Sequence, residues 1–177
     1  MLSMQGVMPD KSLSISLEYE DANAQLTDLL SGIVPLPMIS PAFKSVIKQQ
    51  ADQNVIFFPA KVKGPTIEIQ YDYFYAHILN PVQAFDWEKS SYQAASKNAD
   101  KVTQNWNEKE YNSHSDEVKW IRKRKKIVLD EDVIGNRHLF RVTFIEDLLF
   151  CNEHLAQSIL KNGLTGISLI PVEDYTE

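Results

Sequence analysis

Few side chains in this sequence stand at a spacing that could do chemistry. The four histidines are His77, His114, His138 and His154. No two lie three or four apart, the spacing at which a helix offers two imidazoles to one metal ion, so structural or surface roles are expected for them. No G-x-S-x-G is present to hold a serine nucleophile in a strained turn. No G-x-G-x-x-G or P-loop offers backbone N–H groups to a phosphate, so no nucleotide cofactor is expected. The single cysteine, Cys151, excludes an internal disulfide framework and a multi-cysteine zinc site. It ends an apolar run and reads as a small buried hydrophobe rather than a reactive thiol.

The charged residues are more informative. Asp86 and Glu88 follow a strand, two residues apart, and would project the same way if the strand continued. Such a pair can act as acid and base or hold a cation. It can equally form a solvated turn, or contact a basic partner and steer its approach. Asp130, Glu131 and Asp132 form a second acidic turn. Opposed to these is Arg122-Lys123-Arg124-Lys125-Lys126 with Lys119 before it, six of the chain's 18 basic residues. This run reads as a nucleic-acid patch or a docking site for an acidic partner, or as a charged strand that discourages edge-to-edge pairing. Only Trp120 is interleaved with it, which gives base stacking little support. The formal charge of −6 also argues against general nucleic-acid binding.

The elements that position these residues are read from periodicity and turn chemistry. A chain of 177 residues with ordinary apolar and charged fractions fits one soluble domain. No basic, apolar leader opens it and no run approaches the ~20 apolar residues of a membrane span, so a cytoplasmic protein is expected. Ser12–Ser16 alternates as a short strand. Glu18–Leu30 has helical spacing through Ala22, Leu26, Leu29 and Leu30. Ile33–Pro41 carries three prolines and must be extended. Ser40 and Pro41 are the N-cap and first position of a helix with Phe43, Val46, Ile47 and Gln50 on one face. Val55–Val62 is a strand, and Pro59 predicts an edge or a bulge. Thr66–Leu79 is the longest strand, apolar on both faces from Phe74 onward, broken by Asn80-Pro81. Val82–Trp87 resumes it.

Ser91–Glu117 is polar, but Tyr92, Ala95, Ala99, Val102 and Trp106 have helical spacing; a thinly docked helix and a loose insertion both fit. Asn107–Ser115 is expected as loop and Val118–Leu129 as a strand, with a turn at Gly135-Asn136. The last third, Leu139–Val172, is predicted as strand, acidic turn at Glu146-Asp147, strand, helix, strand. In that helix Asn152 is the N-cap and Leu155, Ile159 and Leu160 form the apolar face. Gly163 closes it, and Ile167–Val172 is the final strand. The whole is an α+β chain: a single domain over 1–177, mostly antiparallel sheet with a few short helices packed on it, and an insertion at 91–119.

Several blocks resemble a known family. PLPMISPAFKSVI, VIFFPAKV, YAHILNPVQAFDWEKS and LFRVTF…LLFCNEHLAQSILKNGLTGISLIPV are similar to the bacterial immunity-protein family known as immunity protein eleven. The resembling positions include Asn80, Val82, Asp86 and Ser90, then Gly163, Leu164, Thr165 and Gly166, within a span of Pro35 to Val172. The resemblance implies a non-enzymatic protein that neutralises a cognate toxin of a polymorphic or contact-dependent system by binding it. It implies no cofactor, metal or membrane partner, and it leaves self-association open. It hands over no interface residues; the motif residues fit turns and caps as well as contacts. The residues expected to face the toxin are Asp86, Glu88, Asp130, Glu131 and Asp132. The rival expectations are a small cytosolic enzyme with a spatially assembled site, and a binding module using residues 122–126.

Overall fold

The computed structural model describes residues 15–18, 26–30, 37–50, 54–63, 70–96 and 118–176. The architecture is α+β, mostly antiparallel sheet with short helices, as expected. Contacts group the chain into two compact units. One holds residues 1–80, 137–140 and 151–168; the other holds 81–136, 141–150 and 169–177.

The first unit is built on a sheet. Its strands are β1 (Ile15–Glu18), β2 (Leu29–Leu30), β3 (Met38–Ile39), β4 (Val55–Lys63) and β5 (Gln70–Ile78). They lie in the order β1-β4-β5-β3-β2. β4 and β5 pair antiparallel along their length, from Val55↔Ile78 to Lys63↔Gln70, while β1 joins β4 in parallel. Strand alternation sends Phe58, Ala60 and Val62 of β4 to the same face as Tyr73 and Tyr75 of β5, where Leu30 and Met38 complete a buried cluster. β5 lies between β4 and β3, with a hydrogen-bonded neighbour on each edge.

Helix α1 (Pro41–Gln49) starts as its sequence dictates. The Ser40 hydroxyl accepts from the Phe43 N–H at 3.1 Å, Pro41 fills the first turn, and Phe43, Val46 and Ile47 are buried. It packs against β3, β5 and a later helix, Glu153–Lys161.

Pro59 does not put β4 at an edge, as its chemistry predicted. Among the described residues β1 pairs with Ala60–Lys63, so Pro59 lies beside that ladder, between β1 and β5 in the sheet order. The end of the expected helix Glu18–Leu30 is also corrected. Leu29 and Leu30 are a strand paired with Ile39 and Met38, so cross-strand pairing overrides the helical spacing. The earlier part of that segment, residues 19–25, lies outside the described residues.

The second unit contains β6 (Ser91–Ser96) and β7 (Val118–Lys126), an antiparallel ribbon with irregular register. Ser91–Ser96 is therefore strand, and the helical spacing of Tyr92 and Ala95 is incidental; pairing with β7 decides the matter. The loop expected over Asn107–Ser115, like the rest of residues 97–117, lies outside the described residues. Val82–Trp87 does not resume a full strand. It makes two isolated bridges, Val82 with Val142 in parallel and Phe85 with Leu129 antiparallel. A one-turn helix α2 (Glu131–Ile134) follows.

Strands β8 (Leu139–Val142) and β9 (Ile145–Cys151) form a hairpin. Its turn falls at Thr143-Phe144, with Phe144 at a φ of 74°, so the expected turn at Glu146-Asp147 is instead part of β9. Helix α3 (Glu153–Lys161) is capped by Asn152, whose side-chain oxygen accepts from the Leu155 N–H at 2.9 Å. Leu155 and Ile159 are buried, but Leu160 is 70% exposed and leaves the expected apolar face. Ile167–Val172 is not a strand. The segment runs irregularly into a 3-10 turn at Val172–Asp174.

Candidate partner-binding surface

The motif residues of the first unit build an internal lock. The Asp28 carboxylate accepts from the Ser40 hydroxyl at 2.6 Å, from the Thr165 N–H at 2.8 Å and from the Thr165 hydroxyl at 3.0 Å. Leu29 N–H bonds the Thr165 carbonyl at 3.2 Å. Burial pushes the Asp28 carboxyl up, and the Ser40 and Thr165 bonds outweigh it, holding the group below its ordinary value. Gly166 follows at a φ of 75°, and a Cβ there would stand 2.5 Å from the Leu29 carbonyl and against the Thr27 hydroxyl. The G-L-T-G signature is thus the shape needed to seat this segment on β2.

The motif from Asn80 to Ser90 is equally constructive. Asn80 takes a φ of 51° where the chain leaves β5. Val82 is buried; its N–H bonds the Arg141 carbonyl at 2.8 Å, and its carbonyl accepts from the Thr143 N–H at 2.9 Å. Ser90 is 2% exposed and its hydroxyl exchanges bonds with the Val128 carbonyl and N–H at 3.2 and 3.0 Å.

Asp86 closes the turn in between. Its carboxylate accepts from the Glu88 and Lys89 N–H groups at 3.1 and 2.9 Å and pairs with the Lys89 ammonium at 2.9 Å. The Lys89 hydrogen bond holds this carboxyl below its ordinary value. Asp86 and Glu88 therefore do not project together from a strand.

The fold does bring the two acidic turns together. Asp86 N–H bonds the Val128 carbonyl at 2.9 Å and Asp130 N–H bonds the Ala84 carbonyl at 2.7 Å. Asp130 is the N-cap of α2, accepting from the Asp132 N–H at 3.0 Å and the Val133 N–H at 3.4 Å. Glu131 and Asp132 occupy the first turn, where the helix dipole favours negative charge. Lys89 registers their closeness: Asp86 raises its ammonium above the ordinary value first, and Asp130 and Glu88 add to this. Glu88, Asp130, Glu131 and Asp132 are all exposed, while Asp86 is half-buried.

One feature here is not legible in the sequence. Trp87 packs edge-on against Phe85, Tyr92 and Phe144 at ring distances of 4.9, 5.4 and 5.3 Å, so the turn rests on an aromatic base. The aromatic residue directly after Asp86, Trp87, is the signal the sequence offers for it.

The basic run divides by strand alternation. Lys123, Lys125 and Lys126 are exposed, whereas Arg124 is buried. The Arg124 guanidinium makes a bidentate pair with the Asp147 carboxylate, both bonds 2.6 Å, and lies 5.7 Å from the Tyr175 ring centre. Arg124 thereby holds the Asp147 carboxyl below its ordinary value.

His138 and His154 lie with ring centres 6.0 Å apart, and the His138 Nδ1 meets the Asn152 amide at 2.9 Å. Burial pushes the half-buried Cys151 thiol up, away from the reactive thiolate. Among the described residues no three acidic, histidine or cysteine side chains form a metal cage, and no helix is long and apolar enough to cross a membrane.

The fold is α+β, with prolines, glycines and caps at its turns. The model of the immunity protein family (Imm11) matches residues 5–174, nearly the whole chain, and the protein belongs to that family. The match spans both units and agrees with the resemblance carried by the motif blocks. No curated protein matches the chain.

Proposed function

We propose that this chain is a cytoplasmic immunity protein that neutralises the toxin of a polymorphic toxin system by binding it, without chemistry of its own. The observation that carries this is the family match over residues 5–174. The geometry is in keeping with it. Asp86, Ser90, Asp28 and Thr165 spend their polar atoms on turns and caps of the fold itself. Charge is concentrated instead on the exposed turns Glu88 and Asp130–Asp132, a surface suited to a basic partner. In this reading Asp86 holds the turn while Glu88, Asp130, Glu131 and Asp132 face the toxin.

Co-expression with the toxin domain encoded beside this chain tests the proposal in a sensitive host. Growth restored together with co-purification of the two proteins is the expected result. Growth restored with no complex would point to an enzyme that repairs the toxin's damage.

A further inference from the structure

Helix α3 ends on the only Asn-Gly step in the sequence, Asn162-Gly163. An asparagine before a glycine brings together an electrophile and a nucleophile. The glycine nitrogen can attack the asparagine Cγ, and its approach is unhindered because glycine has no Cβ. The new N–Cγ bond closes a succinimide ring as the Cγ–Nδ2 bond breaks. The side-chain nitrogen leaves as ammonia, taking the proton of the attacking N–H. Water then opens the ring at either carbonyl and leaves aspartate or an isoaspartyl link. The reaction asks only for water and a backbone free to turn.

The fold withholds that freedom. Asn162 is the C-cap of α3 at a ψ of 0°, which sets the Gly163 nitrogen on the side of the Asn162 backbone nitrogen, turned away from Cβ. Both reacting groups are also engaged. The Asn162 side-chain amide donates to the Ser158 carbonyl at 2.8 Å, and the Gly163 N–H donates to the Leu160 carbonyl at 3.0 Å. Yet Asn162 and Gly163 are exposed, and nothing stands within 4 Å of where a Gly163 Cβ would be. Opening this last turn frees both groups without unpacking the core. We infer that Asn162-Gly163 is a spontaneous deamidation site gated by the last turn of α3, sealed while the turn is closed and converting when it opens. This inference stands apart from the immunity reading.

Conversion has a structural consequence. Aspartate at this position replaces a donor with a carboxylate beside the Ser158 carbonyl, at the negative end of the helix dipole. An isoaspartyl link lengthens the backbone directly before Gly163, whose φ of 62° leads the chain into Leu164 and Thr165. The Thr165 N–H and hydroxyl hold the Asp28 carboxylate at 2.8 and 3.0 Å, so this lock on β2 is what loosens.

The test incubates the full chain at mildly alkaline pH, in native buffer and in urea, and follows Asn162 by peptide mass spectrometry with an isoaspartyl assay. Conversion in urea is expected, slowed about tenfold or more in native buffer because only opened molecules react. Asn162→Gln, which would have to close a larger ring, is expected to remain unconverted over the same period in urea. Asn162→Asp, the product with a normal backbone, is expected to lower the thermal midpoint and to speed hydrogen exchange at the Thr165 N–H about tenfold. No conversion of Asn162 in urea would overturn the site. Equal rates in native buffer and urea would overturn the gating. Wild-type exchange at Thr165 in Asn162→Asp would overturn the link to Asp28.

Discussion

Asp28, Asp147 and Gly166 each carry a consequence larger than their size. Gly166 adopts a left-handed conformation with the Leu29 carbonyl 2.5 Å from where a Cβ would stand. Gly166→Ala should cost about 2–4 kcal/mol, combining backbone strain with displacement of β2. Urea unfolding would read this as a lower midpoint with an unchanged slope. Asp147 and Asp28 set the response to acid. Both carboxyls are held below their ordinary value of 3.8 in the folded chain. Their stabilisation is therefore fully present above that value and is lost as pH falls through the lower, folded one. Thermal midpoints measured from pH 6 down to pH 3 should fall, and Asp147→Asn should flatten the fall. At neutral pH the same variant should cost about 2 kcal/mol. That is below the ~3–5 kcal/mol typical of breaking a fully buried pair, because the Asp147 side chain is 59% exposed while Arg124 is 2% exposed.

Elements show which forces were legible in the chain. The start and apolar face of helix α1 could be read locally, because Ser40, Pro41 and Phe43, Val46, Ile47 are local signals with local causes; Gln50, expected on that face, is instead the C-cap. Ser40→Ala should destabilise by about 1–2 kcal/mol, since it removes both the cap on Phe43 and a donor to Asp28; a matching Asp28→Ala variant would show whether the two effects couple. The Asn152 cap of α3 was legible for the same reason.

Elements decided by distant partners were not. Leu29–Leu30 have helical spacing yet become strand through Met38–Ile39. Ser91–Ser96 do the same through β7. Ile167–Val172 look like a strand by composition, but the segment is anchored through Thr165 and Gly166 and runs on irregularly. The hairpin turn was misplaced because acidic residues normally mark turns, whereas Asp147 is drawn into a strand by Arg124. The acidic turns were visible as charges. Their meeting depends on the bonds from Asp86 to Val128 and from Asp130 to Ala84, which no local pattern encodes.

For the whole molecule, the family match over residues 5–174 and the net charge of −6 frame the account. The motif blocks made the family legible without a structure, and the structure explains why they recur in this chain as turns, caps and a seated glycine. They are the scaffold's requirements. The partner face proposed above is a separate matter, placed on exposed charged turns, and it is the part local patterns describe least. The most direct measurement mixes the purified chain with the purified C-terminal domain of the neighbouring gene's product, tested first for toxicity, and follows both by size-exclusion chromatography with light scattering. The account predicts a stoichiometric complex that weakens as salt is raised, together with loss of toxin activity in the complex. Two proteins eluting separately, with the toxin fully active in the presence of excess chain, would contradict it.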